Sequence, residues 1–281
     1  TMLAKRFPTI LPPLSYEEAL EVTKIYSISG NFESKNLVFK RPFRAPHHTC
    51  SKISLVGGGN RLLPGEISLA HNGVLFLDEL LEFKKGVLEV LRQPLEDKII
   101  KLSRSTGNVT YPANFLFVSA LNPCPCGNYG SDRECTCTEY QRKRYLSKLS
   151  SAVIDRIDIF SSVNSIKYEE IEKKSMVESS KDIRTRVIKV RKIQAERFKH
   201  DNIQCNSQMQ KKHIDKYCRL NSNGINIMKE LFSNFQISTR AYTRILKVAR
   251  TIADMNNRCE IDSKDVIEAL EYRKFIDGKI V

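Results

Sequence analysis

The sequence lacks the features that would place it in a membrane or outside the cell. Its apolar runs, such as Val74 to Leu77, are far shorter than the ~18 residues of a membrane-spanning helix. The first residues, TMLAKR, do not have the charged-then-apolar order of a signal peptide. These absences predict a soluble protein with no membrane partner, and the cytoplasm as its location.

The sequence also lacks a disulfide scaffold and a balance of charge. Eight cysteines in 281 residues are too few for a disulfide scaffold, and no internal repeat stands out. Asp and Glu number 32 against 46 Lys and Arg, which gives a net charge of +14. A basic surface can simply be solvated, but this excess favours an anionic partner, with nucleic acid and nucleotide phosphates first.

Apolar and charged residues are present in globular proportions, 41% and 28%, so wholesale disorder is excluded. Four large apolar residues at 74–77 predict a strand buried on both faces, and 114–119 predicts a second. From about Ser179 onward only helices are expected. The sequence therefore predicts an α/β domain over residues 1–163, built on a parallel sheet, and an all-α domain over residues 164–281.

Local signals predict several elements between these landmarks. Ser15 and Glu18 have the spacing of a capping box, which predicts a helix that ends before Gly30. Residues 42–60 contain prolines and a glycine triplet and predict a long loop or hairpin. A single helix is expected from about Lys84 to Gln93. The four C-terminal helices are predicted near 181–199, 222–233, 239–255 and 264–274.

Two carboxylates follow the first buried strand directly. Ligands bind at the carboxyl ends of parallel strands, where Asp78 could hold Mg²⁺ and Glu79 could act as general base on an attacking water. Alternatively, both carboxylates only cap the next helix. Asn122 follows the second strand and could orient the same water without adding charge.

Two arginines lie in contexts that suit a role on phosphate. Arg156 stands in the segment IDRID, where the alternative is an ion pair with a neighbouring aspartate. Arg240 begins a helix in the segment STRAYTRIL, where the alternative is a solvated cation. With VLFLDE, SALNPCPCG and FRAPHH, these motifs resemble the magnesium-chelatase-related branch of the AAA+ ATPases, in particular the ComM/YifB type. The similarity covers nearly the whole chain.

The resemblance implies a fold and a set of roles. The fold is an AAA+ P-loop-type α/β core with helical and hairpin insertions, followed by a helical lid. ATP and Mg²⁺ are the implied cofactors, with Asp78 on Mg²⁺, Glu79 on water and Asn122 as sensor 1. The resemblance also implies a hexameric ring, in which Arg156 would be the arginine finger that reaches the nucleotide of the adjacent subunit and Arg240 the sensor-2 contact.

The sequence departs from the family at its phosphate loop. No Gly-x-x-x-x-Gly-Lys-[Ser/Thr] stretch is present in the 281 residues. In the family, the residues after the loop lysine are similar to TMLAKR, so we expect a fragment in which Thr1 is the Mg²⁺-binding hydroxyl. Alone, this chain is expected to bind ATP poorly or not at all and to be inactive.

Two C-x-C pairs follow Asn122. Cys124, Cys126, Cys135 and Cys137 could supply four thiolates for a tetrahedral zinc ion, and reduced thiols or a disulfide are equally open readings. Such a site would be a structural staple. His47 and His48 have no apparent third ligand, so hydrogen bonding within their loop is expected.

A hairpin predicted at residues 98–111 is a candidate DNA contact. Lys101 and Arg104 would make sequence-neutral contacts with phosphates, while a merely solvated hairpin is the alternative. In related motors such a hairpin, and an insertion that corresponds here to about 44–60, point into the ring.

The function expected from the resemblance is ATP-driven DNA remodelling, on single-stranded or branched DNA, as in branch migration during competence-related recombination. One alternative is a magnesium-chelatase motor subunit that drives metal insertion into a porphyrin. The other is a zinc-stapled, non-enzymatic nucleic-acid-binding module.

Overall fold

The computed structural model describes residues 1–30, 36–105, 107–163, 178–234 and 237–274. The chain divides into two compact units, Thr1–Arg156 and Ile157–Val281. In the described residues, no helix has both the length and the apolar character to cross a membrane.

In its described residues, the first unit combines short helices with three small sheets. Its helices are α1 (Phe7–Ile10), α2 (Tyr16–Ser29), α3 (Lys52–Val56), α4 (Glu66–Leu69), α5 (Lys85–Glu89), α6 (Arg92–Asp97), α7 (Glu139–Leu146) and α8 (Ser151–Ile154), with 3₁₀ turns at Ala4–Arg6 and Leu80–Glu82. Its strands are β1 (Phe43–Arg44), β2 (Gly57–Gly58), β3 (Leu63–Pro64), β4 (Val74–Leu77), β5 (Ile99–Arg104), β6 (Gly107–Pro112) and β7 (Leu116–Ser119).

The central sheet is parallel, in the order β1-β4-β7. Phe43 pairs with Val74 on one side of β4, and Leu77 pairs with Ser119 on the other. All four residues of β4 are buried, as the continuous apolar run predicts. Because the strands are parallel, the residues that follow β1, β4 and β7 all leave the sheet at one edge.

The prediction that the second strand is fully buried is wrong. Leu116 is 38% exposed, and the other three residues of β7 are half-buried. In the described part of the chain, β7 pairs with β4 alone, so its other edge has no neighbouring strand to cover it. Its position at the edge of the sheet explains the exposure.

Helix α2 begins and ends where the sequence predicts. Ser15 accepts a hydrogen bond from the amide of Glu18 (3.1 Å), and the Glu18 side chain accepts one from the amide of Ser15 (3.0 Å). Gly30 follows the helix in the left-handed conformation, at φ 76°. The helix packs Ala19, Val22 and Ile25 into the core.

Two other local predictions need correction. Residues 42–60 contain a helix, α3, because Ser51 caps its N-terminus and Leu55 anchors it in the core. The helix predicted from Lys84 to Gln93 is split into α5 and α6. Pro94, which has no amide hydrogen, lies in the first turn of α6, where a helix tolerates it.

A polar network supports the start of β4. Arg41 donates to the carbonyls of Pro12 (2.5 Å) and Asn72 (2.6 Å) and binds the Glu18 carboxylate (3.0 Å). Nearby, the imidazole of His71 accepts a hydrogen bond from the Asn114 amide at Nδ1 (3.0 Å). These contacts join the loops before β1, β4 and β7.

The second unit is helical in its described residues. Its elements are α9 (Ser180–Arg197), a 3₁₀ turn (Asn206–Gln208), α10 (Lys211–Tyr217), α11 (Ser222–Asn234), α12 (Thr239–Met255) and α13 (Ser263–Glu271). The four long predicted helices are confirmed. The apolar faces of α10, α11, α12 and α13 form one core, which includes Ile245, Ala249 and Val266.

A buried ion pair lies inside this helical core. Arg250, which is fully buried, donates from Nε to Asp254 (3.0 Å) and from Nη1 to the carbonyl of Cys259 (2.7 Å). Arg197 donates to the second oxygen of the same carboxylate (2.7 Å). Because every charge is paired, the burial is tolerated.

Candidate functional site

The candidate site lies where β4 ends. Strand β4 delivers Asp78 and Glu79 to the carboxyl edge of the sheet, where Asp78 is half-buried and Glu79 exposed. Thr1 lies beside them, and its hydroxyl donates a hydrogen bond to Oδ2 of Asp78. The structure thus brings together the hydroxyl and the two carboxylates.

The backbone of Glu79 is left-handed, at φ 49° and ψ 51°. This conformation costs a residue with a side chain about 1 kcal/mol. It lets the Leu80 amide bind the carbonyl of Ala120 (2.8 Å) and returns Leu80 to the core, while the Glu79 side chain stays exposed. The turn therefore keeps the side chain of Glu79, the candidate general base, at the surface while the next residue, Leu80, packs into the core.

His48 contacts Glu79 from the neighbouring strand's loop. Its Nδ1 lies 3.5 Å from Oε2 of Glu79, and its ring packs edge-on against Phe83, with centroids 6.4 Å apart. The rings of His47 and His48 are tilted by 35°, with centroids 4.0 Å apart. Nδ1 of His47 lies 2.9 Å from the Thr49 hydroxyl, so the expected hydrogen bonding within this loop is confirmed for His47, whereas His48 contacts Glu79 outside the loop. His48 could therefore position the Glu79 carboxylate.

These groups surround one cleft of about 430 Å³. Its lining combines both carboxylates with a lysine, two histidines, the Thr1 hydroxyl and a few apolar residues: Thr1, Lys5, Ala45, Pro46, His47, His48, Phe76, Asp78 and Glu79. Hard oxygen donors and the Lys5 ammonium group in one cleft suit a divalent cation and a phosphate.

Asn122 leaves the sheet at the same edge. The Ala120 amide still bonds to the carbonyl of Leu77 (3.1 Å), so the chain follows β4 to this point. Asn122 itself is exposed and is not part of the lining of the cleft just described. Its predicted role as sensor 1 stays a prediction.

Arg156 is paired with an acidic partner that the sequence does not suggest. Its guanidinium binds Glu96 and donates to the carbonyl of Ala152 (2.6 Å), and its side chain is only 11% exposed. The expected alternative partners are Asp155 and Asp158, and the second of these binds Arg244 instead. To act as a finger, Arg156 would have to exchange Glu96 for a phosphate.

Arg240 is exposed in the first turn of α12. Ser238 caps this helix by accepting a hydrogen bond from the Ala241 amide (3.1 Å), so the motif begins a helix as predicted. The sensor-2 role of Arg240 stays a prediction.

The predicted hairpin is formed by β5 and β6, and its turn residue Thr106 lies outside the described residues. Both basic residues are exposed: Arg104 lies at the tip, where it pairs with Gly107, and Lys101 lies three residues before it, opposite Thr110. Because they are three residues apart on one strand, their side chains leave opposite faces of the hairpin. A nucleic acid that contacts both residues would therefore have to reach both faces of the hairpin.

The four clustered cysteines come together after β7. The sulfur atoms of Cys124, Cys126, Cys135 and Cys137 all lie within 4.8 Å of one another. The Asn128 amide hydrogen-bonds to the Cys126 sulfur and, with the Cys124 thiol, lowers the pKa of Cys126 to about 5. A backbone amide also favours the Cys137 thiolate, but desolvation and neighbouring thiols outweigh it and raise its pKa to about 11.

Comparison with known proteins shows the family of this chain. Residues 1–171 match the family described as "Magnesium chelatase, subunit ChlI", and residues 177–273 match its C-terminal domain, "Magnesium chelatase, subunit ChlI C-terminal". The chain belongs to the ChlI family.

Within the ChlI family, this chain is similar to proteins of the ComM and YifB type. It is 42% identical to "Competence protein ComM" of Haemophilus influenzae over 98% of its own length, and 41% identical to "Uncharacterized protein YifB" of Salmonella typhimurium over 97%. A Mycobacterium bovis protein, "Uncharacterized protein Mb2921c", is 37% identical over 98%. The chain spans about half the length of these relatives, 53% to 54%.

The resemblance to the ComM/YifB type is therefore confirmed, and so is the AAA+-like α/β class of the ChlI-family fold. Sequence reasoning missed Lys5 and did not connect His48 with Glu79. No sequence pattern near either residue indicates these contacts. For His48, the contact depends on the parallel pairing of β1 with β4, which brings the histidine loop to the carboxylates.

Proposed function

We propose that the protein is an AAA+ ATP hydrolase that uses the cleft at the end of β4. The single observation that supports this most is the hydrogen bond from Thr1 to Asp78, with Glu79 as the next residue in the same cleft. A hydroxyl and a carboxylate side by side are the hard oxygen donors that Mg²⁺ prefers.

Within this proposal each residue has a defined task. Thr1 and Asp78 would hold Mg²⁺, which when bound neutralises charge on the phosphates of ATP. Glu79 accepts a proton from the attacking water, and His48, 3.5 Å away, orients the carboxylate. Asn122 orients the water from the end of β7 without adding negative charge.

Two arginines complete the proposed phosphate site in a ring, which we propose to be a hexamer. Arg156 would serve the nucleotide of the adjacent subunit, and Arg240 would contact nucleotide from α12. Arginines supplied between subunits raise phosphoryl-transfer rates by about 10³ to 10⁵ in other systems. The ion pair with Glu96 holds the Arg156 side chain in place until a phosphate replaces Glu96.

We further propose that hydrolysis drives remodelling of single-stranded or branched DNA. Two observations support DNA as the partner: the net charge of +14, and the exposed side chains of Lys101 and Arg104 on strand β5 of the hairpin. The similarity to a protein named "Competence protein ComM" adds support for a competence-related role.

The test is the ATPase rate of the full-length gene product with and without DNA. Branched DNA should stimulate hydrolysis several-fold over duplex DNA, and the stimulation should fall steeply with salt. Hydrolysis that is indifferent to DNA would contradict the DNA proposal and favour the chelatase-type motor. DNA binding without hydrolysis would instead favour a non-enzymatic binding module.

A matched set of variants locates the DNA contact. Lys101→Ala and Arg104→Ala should each weaken DNA binding and reduce the slope of log K against log salt by nearly one unit, ~0.7 to 0.9. Lys24→Ala, which removes an exposed lysine from α2, is the control. Equal effects of all three would rule out a specific role for the hairpin.

A further inference from the structure

We propose that Cys124, Cys126, Cys135 and Cys137 bind one zinc ion in a closed structural site. The sulfur–sulfur distances support this: Cys124 to Cys126 is 3.4 Å, Cys124 to Cys135 is 3.7 Å and Cys126 to Cys135 is 3.6 Å. Four sulfurs in a tetrahedron at Zn–S distances of ~2.3 Å are separated by about 3.8 Å. The cluster has almost this size already.

The same distances argue against disulfides. A disulfide requires two sulfurs at about 2.05 Å and separates that pair from other thiols. Here three sulfurs are nearly equidistant and all four are free, so no pair is singled out. As thiolates, four sulfurs at these separations would repel one another, and a divalent cation at their centre would offset that repulsion.

The backbone around the cluster is arranged as a metal-binding loop. The Tyr129 amide donates to the sulfur of Cys124 (3.4 Å), which is itself fully buried. Gly127 and Gly130 take left-handed conformations, with φ of 79° and 77°, and turn the chain back toward the second cysteine pair. Such amide–sulfur bonds favour the thiolate that a metal requires.

The loop that carries the four cysteines, residues 120–138, is not held in place by any helix or strand of its own. Residues 120–138 contain no helix or strand, and loops of this length are uncommon in compact domains without a further constraint. The second cysteine pair leads directly into α7, where Thr138 caps the helix and Arg142 donates to the carbonyl of Cys137 (3.0 Å). A zinc ion would therefore tie the end of β7 to the start of α7.

The chemistry of the ligands defines the ion and its role. Thiolates select zinc over Mg²⁺, so this site is separate from the proposed Mg²⁺ site at Asp78. Four protein ligands leave no open position, so the ion does not act on a substrate. Its task is to fix the loop that begins beside Asn122.

The test is the metal content of the full-length gene product, purified under reducing conditions. We expect one zinc per chain by mass spectrometry of the metal, and tetrahedral thiolate absorption after replacement by cobalt. Cys135→Ser should lower zinc to less than about one tenth, while Cys50→Ser, which removes an isolated cysteine, should leave it unchanged.

Cys135→His keeps a zinc ligand at that position, so it should retain the metal even if Cys135→Ser fails to fold. Three results would overturn the proposal: wild-type protein that neither contains zinc nor takes up cobalt, a disulfide within the cluster under those conditions, or full zinc content in Cys135→Ser. None of them bears on ATP hydrolysis, so this inference stands apart from the proposed function.

Discussion

Thr1 and Asp78 are 77 residues apart in the sequence, and the hydroxyl of Thr1 donates a hydrogen bond to the carboxylate of Asp78. The contact requires β4 to end at Leu77 and the N-terminal turn at Ala4–Arg6 to lie against the same sheet edge. Ala4 is buried and anchors that turn. The pair therefore places a hydroxyl and a carboxylate where one Mg²⁺ could bind both.

The first prediction separates the roles of the two carboxylates. In the full-length product, Asp78→Asn should remove Mg²⁺-dependent nucleotide binding, because a neutral amide is a poorer ligand. Glu79→Gln should keep that binding and slow hydrolysis by about 10² to 10⁴, because the general base is lost. Binding and single-turnover hydrolysis of ATP check both. Glu89→Gln is the control, and equal loss of binding in both variants would refute the division of roles.

The second prediction concerns Arg156. Arg156→Ala should leave nucleotide binding intact and lower the rate at least 100-fold, because a finger acts mainly on the transition state. If Arg156 acts on the neighbouring subunit, mixing Arg156→Ala with Asp78→Asn subunits should restore part of the rate, since each supplies what the other lacks. A mixed ring with no recovered activity would contradict action between subunits.

Local signals predicted most of the elements, for a physical reason. The capping box of Ser15 and Glu18 and the left-handed Gly30 depend only on residues within the same helix. Likewise, the buried strand β4 follows from four adjacent apolar residues. Where a neighbour in sequence decides the structure, the sequence suffices.

Long-range partners could not be predicted in this way. Glu96 lies 60 residues from Arg156, and nothing near either residue indicates that they meet. The exposure of β7 depends on which strands pair with it, and the contact of His48 with Glu79 depends on the register of β1 on β4. The Thr1–Asp78 contact was expected only from the family resemblance.

The third prediction tests the packing of β4 against the chain before β1. A Cβ atom on Gly73 would lie 2.2 Å from the carbonyl oxygen of Pro42, which itself accepts the Val74 amide (2.8 Å). The Pro42 oxygen and the Gly73 Cα both belong to the backbone, so neither can move away as a flexible side chain could. Gly73→Ala should therefore destabilise the protein by about 3 kcal/mol or more. Gly86→Ala, in α5 with no atom within 4 Å of the added Cβ, is the control. Urea unfolding compares them, and equal stabilities would contradict the contact.

The fourth prediction is a loss of stability in mild acid, carried by His71. Burial lowers the pKa of His71, and its hydrogen bond with Glu21 (3.0 Å) only partly offsets this effect. Because Nδ1 accepts the Asn114 amide, the neutral ring carries its proton on Nε2, which donates to Glu21. Protonation of Nδ1 would break the Asn114 bond.

The direction of this pH effect follows from the difference between the pKa of His71 in the unfolded and in the folded protein. The unfolded histidine, with a pKa of about 6.5, binds a proton before the folded one does, so acid favours unfolding. The stability that His71 contributes is complete above about pH 6.5 and falls, by at most about 1.4 kcal/mol per pH unit, toward the lower folded pKa. Urea unfolding at pH 7.5 and 5.5 measures the loss. His71→Gln should reduce it and the exposed His200→Gln should not, whereas an unchanged pH dependence in His71→Gln would exclude His71 as its source.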